Sequence, residues 1–323
     1  MVDRPNKPSA LASTPGLPPQ ASFSILDDGS RVAARLPSGE SVEVLLFGAT
    51  ILSWKDATGN EKLWLSEGSK LDGSRAVRGG VPIVFPLFGP PVASHEATCK
   101  LSQHGFARST RWEFLGKSTI EGDPNSGSTP RSSLKLDFGL SHENLDDATR
   151  ALWPYEFGLL YCVTLERESL NTTLVVTNHG EKPFEFQTLI HTYFRVDDIS
   201  TVQVTGLEDS PYMDKTDGGK DKKQPSAPVT FSAEVDGVFT PAKGPKNPVV
   251  ISEKGMQRFR IVRDNLDQIV VWNPWVEKAE GMTDFAPKSG YKNMVCVEAG
   301  NVRGWQKLEQ GDVFEGAQTI WLS

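Results

Sequence analysis

Short runs of alternating apolar and polar residues, separated by turn residues, recur along the chain from about residue 22 onward. Residues 134–138 alternate strictly, and residues 161–165 and 171–177 form two further runs joined near Glu168-Ser169. β-branched and aromatic side chains dominate such runs, as is typical of strands. Similar patterns occur at 41–47, 201–205, 258–262, 267–272, 294–298 and 317–322. The pattern predicts about fifteen or more short strands.

Helical periodicity is nearly absent from the chain. The best helix candidate, Ser141–Leu152, is short. No repeat of about 20–50 residues stands out, which argues against a propeller. Polar loops are predicted at 118–133, 214–228 and near 240–248. We therefore predict an all-β fold, a large antiparallel β-sandwich, as a single domain over residues 22–323.

Composition and charge narrow the classes of function. The 323 residues carry a net charge of −7 and a pI near 5.4, which argues against nucleic-acid binding. Three separated cysteines, Cys99, Cys162 and Cys296, form no metal-binding pattern, and their odd number fits a reducing compartment. Residues 1–21 hold five prolines and few apolar residues, which predicts a disordered tail. With no apolar leader or membrane span visible, we expect a cytoplasmic protein.

The segment 78–108 differs in charge from the rest of this acidic chain. It contains Arg78, Lys100 and Arg108 against one acid, Glu96, and is locally +2. The two arginines flank apolar sequence rich in proline and glycine, where a long charged side chain needs a partner. Arginine presents a planar fork of donors suited to carboxylate or phosphate. The segment therefore indicates a site for a small anionic ligand.

His191 lies in an apolar strand pattern, and alternation places Leu189, His191 and Tyr193 on one face. A buried histidine is most often a neutral structural residue. The alternative is a general acid in a cleft, because an imidazole with a pKa of about 6.5 can deliver a proton at neutral pH. The residue pattern leaves both readings open.

Glu298 follows the apolar run 294–297 and precedes Ala299-Gly300. A carboxylate at the end of a strand can simply lie at the rim of a sheet. It can also act as a general base, since desolvation raises the pKa of a carboxyl group and makes it a better proton acceptor. Here too the pattern does not decide.

Other polar candidates have the same ambiguity. His104, beside Gln103 and Arg108, is either a loop residue bonded to backbone or a ligand contact. Asp214 opens a polar loop and is a surface acid or a binding residue. The segment 272–275, Trp-Asn-Pro-Trp, could stack on a sugar, but such aromatic residues more often belong to a core.

Several catalytic signatures are missing from the sequence. A dinucleotide fingerprint, a P-loop, a GxSxG elbow and an HExxH motif are all absent. A nucleotide, a metal and a catalytic nucleophile therefore lack support from the sequence. Two groups of opposite proton role and an arginine-lined anion site remain.

Four motifs in order resemble a known family. RGGVPIVFP at 78–86, QHGFAR at 103–108, HTYF at 191–194 and VEAGN at 297–301 resemble the hexose-6-phosphate mutarotases, or glucose-6-phosphate 1-epimerases, of the galactose-mutarotase-like superfamily. The resemblance covers about residues 22–323 and excludes the tail. It implies a β-supersandwich without cofactor or metal. It also implies an isomerase that interconverts the anomers of glucose 6-phosphate by acid/base ring opening.

The resemblance also implies roles for individual residues. His191 corresponds to the general acid and Glu298 to the general base. The substrate-binding positions that it implies are Arg78, Gln103, His104, Arg108 and Asp214. The expected partner is a small hexose 6-phosphate, and a monomer is expected.

Three other functions remain open at the level of sequence. A mutarotase for unphosphorylated aldoses would share the acid/base pair. A non-catalytic module that binds sugar phosphates could share the sandwich, because a fold alone does not define activity. A glycoside hydrolase is less favoured, since only one well-placed acid is evident where two carboxylates are needed.

Overall fold

The computed structural model describes residues 20–120 and 132–323. Within them the chain forms 21 strands, two short α-helices and several 3-10 turns. The strands are β1 Ser22–Leu26, β2 Arg31–Arg35, β3 Ser41–Leu45, β4 Thr50–Lys55, β5 Ile83–Val84, β6 Glu113–Ile120, β7 Ser133–Ser141, β8 Phe157–Leu165, β9 Ser169–Asn178, β10 Phe184–Ile190, β11 Tyr193–Arg195, β12 Val202–Thr205, β13 Pro211–Asp214, β14 Lys220–Lys223, β15 Val229–Thr230, β16 Val235–Phe239, β17 Val249–Glu253, β18 Met256–Asp264, β19 Gln268–Asn273, β20 Met294–Leu308 and β21 Val313–Leu322. The helices are α1 Asp147–Leu152 and α2 Trp275–Gly281, with 3-10 turns at Asp27–Gly29, Ala107–Ser109, His142–Asn144, Ile199–Thr201, Lys215–Asp217 and Lys288–Asn293.

These strands form three antiparallel sheets. A four-stranded sheet has the order β1-β2-β3-β4. An eight-stranded sheet runs β14-β13-β16-β19-β20-β10-β5, with β11 also paired to β20. A nine-stranded sheet runs β15-β12-β17-β18-β21-β9-β8-β7-β6. The predicted all-β antiparallel sandwich is confirmed.

The main core lies between the two large sheets. Alternation along β20 sends Val295, Val297 and Ala299 into this core, where they join Phe186 of β10 and Leu174 of β9. These side chains are at most 1% exposed. Burial of an aliphatic or aromatic side chain of this kind contributes about 1.5–3 kcal/mol relative to exposure.

The opposite face of the eight-stranded sheet carries a second, smaller apolar cluster. Alternation sends Met294 and Cys296 of β20 to this face, where Leu189, Tyr193 and Trp272 also pack. Strand order places β20 at the centre of the sheet, between β19 and β10. Polar side chains of β20 on this face are therefore attached to a strand that is hydrogen-bonded to a neighbour on each side.

The structure corrects some predicted boundaries. The predicted loop 214–228 contains strand β14, which pairs with β13 as a hairpin. This strand is rich in lysine, so it lacked the apolar alternation that marks a half-buried strand. The predicted loop 118–133 is shorter, because β6 reaches Ile120 and β7 begins at Ser133. Residues 121–131 lie outside the described residues, as does the predicted tail up to residue 19.

The helix predicted at Ser141–Leu152 is divided in two. A 3-10 turn at His142–Asn144 precedes α1, and Asp146 caps α1 by accepting a hydrogen bond from the Thr149 amide. In the described part of the chain, the structure holds no helix both long and apolar enough to cross a membrane.

Candidate active site

Glu298 is the fifth of the 15 residues of the longest strand, β20, and this corrects the prediction that it ends a strand. β20 continues to Leu308, and Glu298 pairs with Val270 of β19. Its side chain shares a face with Cys296, away from the main core. Glu298 is only 1% exposed. The fold therefore buries this carboxyl group at the centre of the eight-stranded sheet, on the face that points away from the main core.

His191 occupies the break between β10 and β11. Its amide donates to the Pro82 carbonyl at 3.0 Å, and the Tyr193 amide donates to the Gly80 carbonyl at 2.9 Å. The RGGVPIVFP segment thus holds the backbone of the break. The imidazole stacks on the Tyr193 ring at 4.6 Å, and the edge of Trp272 meets it at 6.3 Å. The predicted common face of Leu189, His191 and Tyr193 carries these contacts.

His191 and Glu298 are neighbours in space. His191 Nδ1 lies 3.4 Å from Glu298 Oε1. Neither Nδ1 nor Glu298 Oε2 has a hydrogen-bond partner among the described residues. A buried polar atom without a partner is costly, so both atoms point to a ligand or water in this place.

Burial suppresses the charge on both members of the pair. Burial lowers the pKa of His191 well below its ordinary value, and the neighbouring His104, Arg108 and Arg78 lower it further. Burial and the nearby Asp236 carboxylate raise the pKa of Glu298 well above its ordinary value. Burial therefore favours the neutral form of both groups in the free pair, an imidazole beside a protonated carboxyl group.

Arg78 lies beside this pair and is already bound to an acid. Its Nη2 lies 3.2 Å from Asp284 Oδ2, and its Nη1 lies 3.3 Å from the Tyr193 hydroxyl. Burial opposes its charge, but its contacts with Tyr193 and Asp284 raise the pKa of Arg78 above the ordinary value. Asp284 comes from the loop after α2 and offered no local sequence signal as a site residue.

Arg108 has no acidic partner among the described residues, in contrast to Arg78. Its Nη2 donates to the Gln103 carbonyl at 2.9 Å, and its Nε has no partner among the described residues. Burial and the charge of Arg78 lower the pKa of Arg108 to about 10. It therefore remains a cation at neutral pH, with donors free to bind an anion.

His104 closes one wall of the site. Its φ of +66° is unusual for a non-glycine residue, and the next residue, Gly105, has a φ of +70°. A Cβ on Gly105 would lie 2.1 Å from the Phe85 carbonyl oxygen, so only glycine fits there. This turn aims the imidazole of His104 toward His191, with ring centroids 6.1 Å apart.

The His104 ring has a defined proton position. Burial and the charges of Arg108, Lys215 and Arg78 lower the pKa of His104, so the ring is neutral. The Gly89 amide donates to Nδ1 at 3.1 Å, which leaves the ring proton on Nε2. The Gln103 amide nitrogen lies 3.4 Å from Nε2, but it is itself a donor and cannot accept this proton.

Lys215 and Asp236 belong to the site and were missed by sequence reasoning. Lys215 Nζ lies 3.2 Å from Asp236 Oδ1 and 4.9 Å above the Phe88 ring. The charges of both residues act on Glu298. For Asp236 a signal existed, since alternation places it opposite Trp272 on the face that carries the site.

Asp214 is not brought together with the other predicted residues. Its neighbour Met213 packs on the face of the sheet that carries the site, so alternation turns Asp214 to the opposite face. There it accepts from the Thr216 amide and from Lys222 Nζ at 2.8 Å. Trp272 is a packing residue beside His191 and is 7% exposed, as the core reading expected.

Comparison with known proteins identifies the class to which this fold and site belong. The chain matches the aldose 1-epimerase family over residues 31–321. It therefore belongs to that family, and the predicted enzyme class, an epimerase, is confirmed.

Particular relatives make the similarity more precise. The chain is 33% identical over 280 residues to a protein of Cenchrus ciliaris provisionally named glucose-6-phosphate 1-epimerase, covering 85% of this chain and 79% of that protein. A protein of Escherichia coli K12 with the same provisional name is 33% identical over 276 residues, covering 85% of this chain and 84% of the other. A Salmonella typhimurium crystal structure, provisionally titled a mutarotase (YeaD), has a TM-score of 0.76 at 29% identity and covers 98% of both chains.

Proposed function

We propose that this protein catalyses the exchange of the α and β anomers of a hexose 6-phosphate, with glucose 6-phosphate as the reference substrate. The observation that carries the proposal is the contact of His191 with Glu298 at 3.4 Å beside the uncommitted cation Arg108. The pair supplies an acid and a base, and the cation supplies a binding group for phosphate. The names of the two relatives support the same substrate.

Recognition of the phosphate falls first to Arg108. Arg78 is neutralised in part by Asp284, and Lys215 is paired with Asp236. Arg108 has no such acid among the described residues, and its guanidinium fork suits two phosphate oxygens. Arg78 then contributes a second positive charge from the adjacent position. The neutral His104, with its proton on Nε2, is suited to donate to an oxygen of the sugar.

The phosphate also prepares the proton transfer. Positive charge from Arg108 and Arg78 is part of what holds the His191 imidazole neutral. A bound phosphate dianion offsets that charge, which raises the pKa of His191 and favours transfer of the shared proton from Glu298. The substrate thereby converts the pair from the neutral form into an imidazolium beside a carboxylate.

Ring opening then uses both members of the pair. The Glu298 carboxylate takes the proton of the C1 hydroxyl while the His191 imidazolium protonates the ring oxygen, so the C1–O5 bond breaks and an aldehyde forms. Rotation about C1–C2 presents the other face of the aldehyde, and ring closure returns both protons. Each proton transfer of this kind contributes on the order of 10²–10⁴ in rate.

The test is anomer exchange of glucose 6-phosphate, measured by magnetisation-transfer NMR, with wild type, His191→Ala and Glu298→Gln. Both variants should lose about 10²–10⁴ in kcat, with a smaller change in KM, because the lost groups act in the transition state. Unchanged rates in both variants would contradict the mechanism. Binding of glucose 6-phosphate by wild type without faster exchange would instead support a non-catalytic module.

A further inference from the structure

The sheet face that carries His191 and Glu298 also carries a third potential ligand atom, the sulfur of Cys296, which the acid/base reaction does not use. Cys296 lies two residues before Glu298 on the same face of β20 and is fully buried. One ligand atom each from His191, Cys296 and Glu298 lie within 4.8 Å of one another. All three residues are buried.

The three atoms match the donor preferences of a borderline-soft divalent cation. Zinc binds thiolate sulfur at about 2.3 Å, imidazole nitrogen at about 2.0–2.1 Å and carboxylate oxygen at about 2.0–2.2 Å. Ligands at these lengths around a tetrahedral centre lie roughly 3–4 Å apart. The observed separations therefore require side-chain movements of only about an ångström.

Two of the atoms available to such an ion are unsatisfied in the present structure. His191 Nδ1 and Glu298 Oε2 have no hydrogen-bond partner among the described residues, although the side chains are only 10% and 2% exposed. The thiol of Cys296 is also free of any disulfide. The cluster thus combines buried ligand atoms from one strand, β20, with His191 from the break between β10 and β11.

We propose that zinc binds Cys296, His191 and Glu298 and inhibits the enzyme by occupying its acid/base pair. Binding releases the thiol proton of Cys296 and the carboxyl proton of Glu298, while the neutral imidazole donates its nitrogen lone pair. The ion is a competitor of the substrate and takes no part in the reaction. Inhibition of anomer exchange rests on the proposed function, but binding of zinc does not.

The charged residues near the site have opposing effects on the binding of zinc. Arg78, Arg108 and Lys215 oppose entry of a dication, whereas Asp236 and Asp284 favour it. The two positive charges of the zinc ion are balanced by the Cys296 thiolate and the Glu298 carboxylate, so the complex with the neutral imidazole is formally neutral. Charge repulsion is therefore confined to the approach of the ion and does not persist in the bound state.

The first measurement is zinc binding, which does not depend on activity. Purified protein competes with a chromophoric chelator for zinc, and wild type should hold one ion per chain that Cys296→Ala loses. Cys162→Ala is the matched control, because Cys162 is also a buried free cysteine but lies on β8 of the nine-stranded sheet. Far-ultraviolet circular dichroism and thermal unfolding establish that each variant is folded.

The second measurement is anomer exchange with and without zinc, each variant being compared with its own zinc-free rate. Half-inhibition of Cys296→Ala should need more than about tenfold more zinc than half-inhibition of wild type, since loss of even an outer-shell partner costs about 10–100-fold in affinity. Chelation should restore the wild-type rate. Equal zinc binding by wild type and Cys296→Ala would overturn the proposal, as would the absence of any bound zinc in wild type. If Cys296→Ala does not fold, Glu298→Gln replaces it in the chelator competition.

Discussion

Replacement of Arg108 by methionine tests how the site selects a phosphorylated sugar. Methionine keeps an unbranched apolar stem and removes the guanidinium, so packing of the chain changes little. Arg108 donates one hydrogen bond within the protein, from Nη2, and its Nε is unpartnered among the described residues. Most of its donor capacity is therefore available to a ligand.

The size of the effect follows from the contacts that Arg108 can offer. Each hydrogen bond between the Arg108 guanidinium and a phosphate oxygen contributes about 1.5–3 kcal/mol. A net loss of about 3 kcal/mol corresponds to about 10²-fold in kcat/KM at 1.36 kcal/mol per tenfold. Glucose lacks the phosphate, so its kcat/KM should change by less than about threefold on the same scale.

The assay compares anomer exchange of glucose 6-phosphate with that of glucose for wild type and Arg108→Met. Arg260→Met is the matched control, because Arg260 is an exposed arginine on β18 of the nine-stranded sheet. The ratio of the two kcat/KM values should fall about a hundredfold in Arg108→Met and stay constant in Arg260→Met. An equal loss for both sugars would refute the assignment of phosphate recognition to Arg108.

Three further predictions concern the rest of the site. Asp214→Ala should change kcat/KM for glucose 6-phosphate by less than about threefold, because Asp214 faces away from the site and its partly buried ion pair with Lys222 lies on that opposite face. A loss above about tenfold would contradict that placement. Gly105→Ala should lower the free energy of unfolding by more than about 2 kcal/mol in urea denaturation, because the new Cβ would lie 2.1 Å from the Phe85 carbonyl oxygen on a left-handed backbone. Gly255 has a φ of +77° but open space around it, so Gly255→Ala should cost about half as much or less. In an NMR titration, with His191→Gln used to assign its signals, the His191 ring should gain its second proton only below pH 6.5 and remain neutral at pH 7. Inorganic phosphate should raise the pKa of His191. A pKa of His191 at or above 6.5 in the free enzyme would count against the neutral pair.

The strands of the two large sheets could be predicted because each has one face in the main core. Alternation in 134–138 and in the pair 161–165 and 171–177 corresponds to β7, β8 and β9, whose apolar residues point between the sheets. Strand β14 could not be predicted in this way. It is stabilised by pairing with β13, while its charged side chains stay largely exposed. Pairing with a distant or neighbouring strand leaves no mark in local periodicity.

The candidate site was predictable only in part, for the same physical reason. His191 and Glu298 stand out as ionisable groups within apolar runs, and burial is what gives them perturbed pKa values. Asp284 and Lys215 enter the site through loops, and their partners are distant in sequence. Asp214 satisfied a motif resemblance, but the direction of its side chain depends on the register of β13, which only the pairing with β16 determines.

Two hydrogen bonds between Gly89 and His104 fix both ends of the loop 90–103, and this is useful for engineering. The His104 amide donates to the Gly89 carbonyl at 2.9 Å, and the Gly89 amide donates to the His104 ring. Both ends of residues 90–103 are therefore fixed next to each other, and the entropy of closing a loop grows only slowly with its length. Residues could be inserted in the exposed stretch 90–94 of this loop, or a peptide epitope grafted there, while the imidazole keeps its place. The same geometry means that a change at His104 alters the anchoring of the loop as well as the proposed sugar contact, so its variants combine two effects.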